Sequence, residues 1–385
     1  MKTKVTLLCV LMGLAVALLA IGCGDDDSSS SSSTDAPAAA DGGGGDEALL
    51  KQAADDVARA KADPVWEDYA PPAAPEPKAG LKVGAVTCAW AIPACKRSAD
   101  GLEEAIKAIG WEPMVLDGTA EARNQRVAVQ TFLNEGVDAF IIESLDPNPI
   151  ADLLKEAADK GIPFIAQNGP DLGPFGGVKG MAGYPVPEDG ERIAAWVANH
   201  SKGKAKILMI SSTDNPILQI IDDSFKSYLE RFEGVEFVRD TITVPFKDIG
   251  PPLEAQARST FQQYPEGSID YVYAPFGGMA VPLANAAQAA GRDDIKVVSG
   301  DGDLQTIEFI KQGKNQVLNM ATSWSWCSWV AVDELNRALN DEPFEGGACA
   351  STLLDESNVD TVAEGEWWEP ELDFKAKFVE LWGVK

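Results

Sequence analysis

From residue 81 onward, short apolar runs without interruption alternate with helical stretches of crossover length, and few folds can absorb that pattern. The runs at 82–87, 113–117, 138–142 and 162–166 predict strands, with helices over 93–109, 121–135 and 149–160 between them. A second series follows, with strands at 178–182, 206–210, 235–243, 269–274, 296–299, 316–320 and 350–354. Helices over 185–200, 218–232, 252–264, 278–290, 304–311 and 325–339 separate these strands. Strands that are apolar throughout, rather than at every second residue, belong to a parallel sheet covered on both faces. Right-handed crossovers then wind helices onto each side. The strands are too many for one sheet of ordinary size. The fold class is therefore α/β, with two doubly wound parallel-sheet lobes.

The ends of the chain carry other information. Lys2 and Lys4 precede an apolar stretch from Val5 to Gly22, and Cys23 follows, then Gly24 and three aspartates. A short basic region, an apolar region and a small-residue cleavage site describe a secretory signal. Leu19-Ala20-Ile21-Gly22-Cys23 resembles a bacterial lipobox, with Ala20 where leucine is commoner. The expectation is a signal peptide over 1–22 and a lipid on Cys23, in preference to a transmembrane anchor. A serine run (Ser28 to Ser33) and a glycine run (Gly42 to Gly45) cannot build a core. Residues 23–79 are thus expected to be a lipidated flexible tether with one short helix over 46–62, ended by prolines from Pro64 on.

Charge removes one class of partner. Lysine and arginine number 32 against 60 aspartates and glutamates, a formal net charge of −28. Nucleic acid is excluded, because phosphate binding needs the opposite sign. A single histidine, His200, means that any Ser-His-Asp or Cys-His catalysis must pass through it. Cys23 is the lipid site and Cys9 lies in the signal. Cys88, Cys95, Cys327 and Cys349 remain, an even number for an oxidising compartment. Four cysteines allow three pairings; Cys88 with Cys95 and Cys327 with Cys349 is the one expected. Close Cys-x-x-Cys zinc spacing and a phosphate-gripping Gly-x-x-x-x-Gly-Lys-Ser/Thr are both missing, so no metal, cofactor or catalytic group is expected.

Several pieces in order carry a resemblance: Val83-Gly84-Ala85-Val86 leading to Pro93, Gly101-Leu102-Glu103-Glu104-Ala105, Gly110-Trp111, Leu116-Asp117, 138–142, Gly161-Ile162-Pro163 and Val297-Val298-Ser299-Gly300-Asp301-Gly302. From Leu81 to about Leu354 the chain resembles the sugar-type (ribose and galactose class) periplasmic substrate-binding proteins of ABC importers, in a lipoprotein branch. The resemblance implies two lobes joined by three crossing segments and closing on a ligand. Lobe one would be 80–183 plus 323–345, and lobe two 184–322 plus 346–385. It also implies a receptor without chemistry of its own, a small-molecule ligand and an ABC permease as partner. Location would be extracytoplasmic, anchored to the membrane by Cys23, with a monomer as the default. The alternative is a ligand sensor feeding a membrane signalling partner.

The pocket positions that the resemblance marks are unusual for a sugar. An Asn before Pro93 is replaced by Ile92; the positions after it are Ala94 and Cys95, and Trp90 stands further back. An Asp-Arg pair is replaced by Asn168-Gly169. An Arg on the helix after Ile210 is replaced by the neighbourhood of Gln219, Ile220 and Ile221, and a polar residue after Ala274 by Phe276. Asp301 is kept. Phe246, Thr322 and Trp324 complete the expected ligand-contacting set. A sugar hydroxyl without a partner in a closed cleft costs about 1–3 kcal/mol, so a ligand with an apolar or aromatic face and few polar handles is expected.

Overall fold

The computed structural model describes residues 43–69, 71, 73–183 and 186–384. The signal expected over 1–22, Cys23 and the first part of the tether lie outside the described residues. Helix α1 (Gly43–Ala60) precedes the first sheet. That sheet is built from β1 (Lys82–Thr87), α2 (Pro93–Ala108), β2 (Glu112–Asp117), α3 (Ala122–Glu135), β3 (Ala139–Glu143), α4 (Ala151–Asp159), β4 (Phe164–Gln167) and β5 (Met181–Ala182). Its strands are all parallel, in the order β2-β1-β3-β4-β5. Val83, Val86, Ile141 and Phe164 are buried in it, as continuous apolar strands require. Gly84 faces Phe132 of α3 so closely that a Cβ would lie 2.8 Å from the ring, so a side chain there would push the helix off the sheet.

The second half repeats the plan with α5 (Val186–Ser201), β6 (Lys204–Ser211), α6 (Pro216–Leu229), β7 (Gly234–Phe237), β8 (Ile242–Thr243), α7 (Pro251–Gln263), β9 (Tyr271–Tyr273), α8 (Gly277–Ala289), β10 (Lys296–Asp301), α9 (Leu304–Lys311) and β11 (Gln316–Thr322). Helix α10 (Trp324–Leu339), β12 (Ser351–Asp355) and α11 (Phe374–Trp382) complete the chain. The sheet order is β12-β11-β10-β9-β6-β7, with β8 beside β6. The strand expected over 235–243 is two pieces, because the exposed pair Arg239-Asp240 bends the chain away from β6 between them. One strand runs against the rest: β12 is antiparallel to β11. It arrives by a loop from α10 rather than by a crossover helix, so its direction reverses.

The chain passes between the lobes three times. After β5 it enters α5, which packs on β6, β10 and β11; after β11 it enters α10, which packs on α2, β3, β4 and β5; after α10 it returns to β12. Gly101 lets α2 approach α10, since a Cβ there would lie 3.0 Å from the Ser325 Cα. Glu334 of α10 fixes the third passage by accepting the Gly347 N–H at 2.9 Å and the Glu345 N–H at 3.2 Å. Disulfides join Cys88 to Cys95 and Cys327 to Cys349.

Two segments differ from the sequence-based boundaries. From Gly43 on, the stretch expected to be a flexible tether is packed. Helix α1 lies on α5 with Ala53 and Val57 buried, and Lys61 pairs with Asp355 at 2.6 Å. The carbonyls of Lys78 and Pro75 then accept hydrogen bonds from Trp111 and Asn336. The helix forms because its apolar residues recur at helical spacing, and it stays put because α5 gives them a partner. The chain end, expected with 346–385 in lobe two, divides. β12 belongs to the second sheet, whereas α11 lies on α10, which packs on the first sheet. There Trp382 stacks on Trp329 (ring centroids 5.3 Å apart) and Phe374 on Trp326 (5.0 Å), with Trp66 at 6.0 Å on the other side.

Trp326 is fully buried at the centre of this aromatic layer. Trp326→Ala is expected to lose about 3–5 kcal/mol of unfolding free energy, read from the midpoint of a urea titration. Trp326→Phe, which keeps most of the packing and removes an indole N–H that has no partner, is expected to lose much less.

Candidate functional site

Each sheet has one place where neighbouring strands send their crossovers in opposite directions. In the first it lies between β1 and β3, in the second between β6 and β9. At such a point the connections part and leave a crevice beyond the carboxyl ends of the strands, the usual ligand position in open α/β sheets. In this chain both crevices open on the same cavity, of about 40 Å³, lined from one side by Cys88, Glu143, Ser144 and Asn168 and from the other by Asn215, Phe276 and Asp301. One water needs roughly 10–15 Å³ on this measure, so the lobes already stand close together.

The first side is held by its own hydrogen bonds. Glu143 ends β3 and is buried; it accepts the Cys88 N–H at 3.2 Å and the Ser144 hydroxyl at 2.7 Å. Asn168 donates from Nδ2 to Ser144 Oγ at 2.9 Å, while its Oδ1 is buried without a partner. The Cys88–Cys95 bridge ties the loop after β1 to the first turn of α2, which Pro93 opens. On the second side Asn215 caps α6, accepting the Ile217 N–H at 3.0 Å. Phe246 and Phe276 meet edge to face at 5.7 Å. Trp324, opening α10, donates from its indole to the Asp301 carbonyl at 3.1 Å and so links the two sides.

Ser144, Asn168 and Asp301 all have positive φ, at 54°, 47° and 76°. Residues other than glycine rarely take this region, and such strain gathers at binding sites. A buried network supports the last of them: Asn319 accepts the Gly302 N–H at 2.6 Å and donates to the Ser299 and Thr306 hydroxyls. Helix α9 has Asp303 at its N-cap, so Asp301 is not the cap.

Of the expected ligand residues, Ile92, Cys95, Asn168, Phe246, Phe276, Asp301 and Trp324 line the cavity, and Trp90 and Thr322 do not. Trp90 is 40% exposed, because its indole turns to donate to Thr87 Oγ1 and Lys96 lies over its ring. Thr322 is buried in the β11–β12 pairing. After Ile210 the lining residues are Asn215, Ile217 and Leu218, earlier than the neighbourhood of Gln219, Ile220 and Ile221; Ile220 faces solvent. Glu143 and Ser144 were not among the expected residues. The signal available for them was an acid closing an apolar run at the carboxyl end of a strand. His200 bonds Tyr271 and stacks on Trp196, outside the cavity lining.

Burial pushes Glu143 up to about 7, and Asp189 and Asp222 to about 6. Burial, with Asp303, Glu143 and Asp189 as like charges, pushes Asp301 well above the carboxylate range. A carboxyl whose native pKa lies above its unfolded value holds a proton that the unfolded chain releases first. Its contribution therefore lowers stability as pH rises from about 4.5 to 7. Asp152 and Asp294, held near 2 by arginines, titrate below that window. The ligand-free protein is expected to melt higher at pH 5 than at pH 7.5, and Glu143→Gln should flatten the slope, as followed by circular dichroism melts.

Comparison with known proteins agrees with this architecture. Residues 86–342, more than half of the chain, match the family described as periplasmic binding protein domain. The chain is similar to the ribose import binding protein of Bacillus subtilis (strain 168), 22% identical over 56% of this chain and 67% of that one. It is also similar to the xylitol-binding protein of Mycolicibacterium smegmatis, 24% identical over 56% of this chain and 60% of that one. Among solved structures, an ABC transporter solute binding protein from Bacillus halodurans with bound myo-inositol aligns with a TM-score of 0.65. It is 22% identical and covers 74% of this chain and 98% of that one. Two lobes, three passages between them and a cavity at both switch points, together with the match over 86–342, establish that the chain belongs to the periplasmic binding protein family, whose members bind solutes and are not enzymes.

Proposed function

We propose that this protein is an extracytoplasmic receptor, anchored by a lipid on Cys23, that takes a small solute between its lobes and delivers it to an ABC permease. The observation that carries the reading is the single cavity shared by the switch points of two sheets, with the chain passing between the lobes three times. Such an arrangement lets one lobe rotate against the other while the site stays at the seam. The relatives' names point to sugars and polyols, and the permease partner follows from the transporter named for the solved structure. The anchor rests on the sequence Leu19 to Cys23 alone.

The lining argues for a less hydroxylated guest than ribose. Ile92, Ile217, Leu218, Phe246, Phe276 and Trp324 supply apolar or aromatic walls. A stacked ring is worth about 0.5–1.5 kcal/mol beyond its buried area, whereas each hydroxyl left unpaired costs about 1–3 kcal/mol. The proposed ligand has an apolar or aromatic face and one or two polar handles.

Two measurements check this. A thermal-shift screen should find a compound with an aromatic or alicyclic face that stabilises the protein by about 2.7 kcal/mol at 100 times its dissociation constant, with small-angle scattering reporting a changed envelope. Tight binding of ribose, xylitol or myo-inositol with no response to such compounds would overturn the apolar ligand. For the anchor, the full chain expressed in bacteria should enter the detergent phase of a Triton X-114 partition, and Cys23→Ala should leave it in the aqueous phase. Equal partitioning of the two would remove the lipid.

A further inference from the structure

The polar groups around the cavity are unbalanced. The lining holds two carboxylates, Glu143 and Asp301, and no lysine, arginine or histidine among the described residues. Glu143 already accepts two hydrogen bonds. Asp301 is buried and its carboxylate accepts none from the described residues. Asn168 is 7% exposed, and its Oδ1 also has no partner. The side-chain donors, by contrast, are mostly committed. The Ser144 hydroxyl goes to Glu143, Asn168 Nδ2 to Ser144, and the Trp324 indole to a backbone carbonyl, which leaves the amide nitrogen of Asn215 and, from the backbone, the first-turn N–H groups of Ala94 and Cys95. With its two acids ionised the cavity presents acceptors and negative charge, and the guest that favours this ionised form is rich in N–H donors and positively charged.

Three alternatives fit less well. An anion would meet two carboxylates with no cation to offset them. A polyol can donate to the same acceptors, but it brings no charge to offset the two acids, and few side-chain donors among the described residues are left for its oxygens. A bare metal ion needs several ligands at one point. Among the described residues the single three-ligand cluster is Cys88, Cys95 and Glu143, and those cysteines are bonded to each other. The walls favour an organic cation. Phe246, Phe276 and Trp324 line the cavity that Asp301 and Asn168 enter, and a cation on an aromatic face gains about 0.5–2 kcal/mol. Burial raises both carboxyls, and a cation placed against them favours their ionised form.

We propose that the solute is a protonated amine on an apolar or aromatic body, with its N–H groups directed to the Asp301 carboxylate and the Asn168 Oδ1. The inference rests on the reading of this cavity as the solute site. Paired probes test it at pH 7.0 and matched ionic strength: 2-phenylethylamine against 2-phenylethanol, and cyclohexylamine against cyclohexanol, by isothermal titration calorimetry and thermal shift. Each amine is expected to bind at least about tenfold tighter than its alcohol, roughly the 1.4 kcal/mol of one charge-assisted contact. Asp301→Asn should shrink that ratio to near unity. Asparagine tolerates the left-handed backbone at 301, so this variant should fold, and Glu143→Gln provides a second reading of the same charge. Alcohols that bind as well as the amines, or a ratio unchanged in both variants, would overturn the cation while leaving the receptor reading intact. No response to either pair, or to ribose, xylitol and myo-inositol, would overturn the receptor reading and the cation with it.

Discussion

Everything in this molecule that bears on binding follows from the direction of its strands. A parallel sheet ends all its strands on one edge, and a change of crossover direction opens that edge at one point. Two such sheets, placed so that their open points share a cavity, bring together residues from the ends of β1, β3, β4, β6, β9 and β10 that are distant in sequence. The strand interiors can then be wholly apolar, because the polar work is confined to the residue at or just after each strand end. Glu143, Asn168 and Asp301 all stand in such positions.

Helix α10 makes the two lobes one structure. It follows a strand of the second sheet, packs on the first, and carries Trp324 to the cavity at one end and Glu334 to the returning loop near the other. All of its residues from Trp324 to Arg337 are buried. That is possible for a helix carrying Asp333, Glu334 and Arg337 because each charge has partners: Asp333 receives both Arg337 and the Trp382 indole. The N-terminal strap and α11 complete the covering. One runs from α5, which packs on the second sheet, to α10, and the other lays three aromatic side chains on the tryptophans of α10.

The cavity itself is the least relaxed part of the structure. It concentrates buried acids, an unpartnered amide oxygen and three left-handed residues other than glycine. In the core such a collection would be replaced by apolar side chains at little cost. At a seam that accepts a guest, the same groups lose their penalty only when the guest supplies what they lack. The cost to the empty protein is thus the measure of what the site is shaped to receive.

The elements were legible because their signal is local. Continuous apolar strands, Pro93 at a helix start and the helical spacing in α1 each depend on residues within one or two turns. The two-lobe division was legible from the number of strands, and Ile92 and Phe276, standing where the resemblance marks polar residues, line the cavity. Tertiary structure alone decided the rest. Whether Trp90 faces the cavity depends on Thr87 and Lys96, and where α11 rests depends on tryptophans more than forty residues earlier in the chain. Glu143, Asn168 and Asp301 are ordinary residues one at a time. Only the packing of two sheets against a common gap buries all three and leaves the Asp301 carboxylate and the Asn168 Oδ1 without donors among the described residues, because burial and partnership are properties of neighbours in space and not of spacing along the chain.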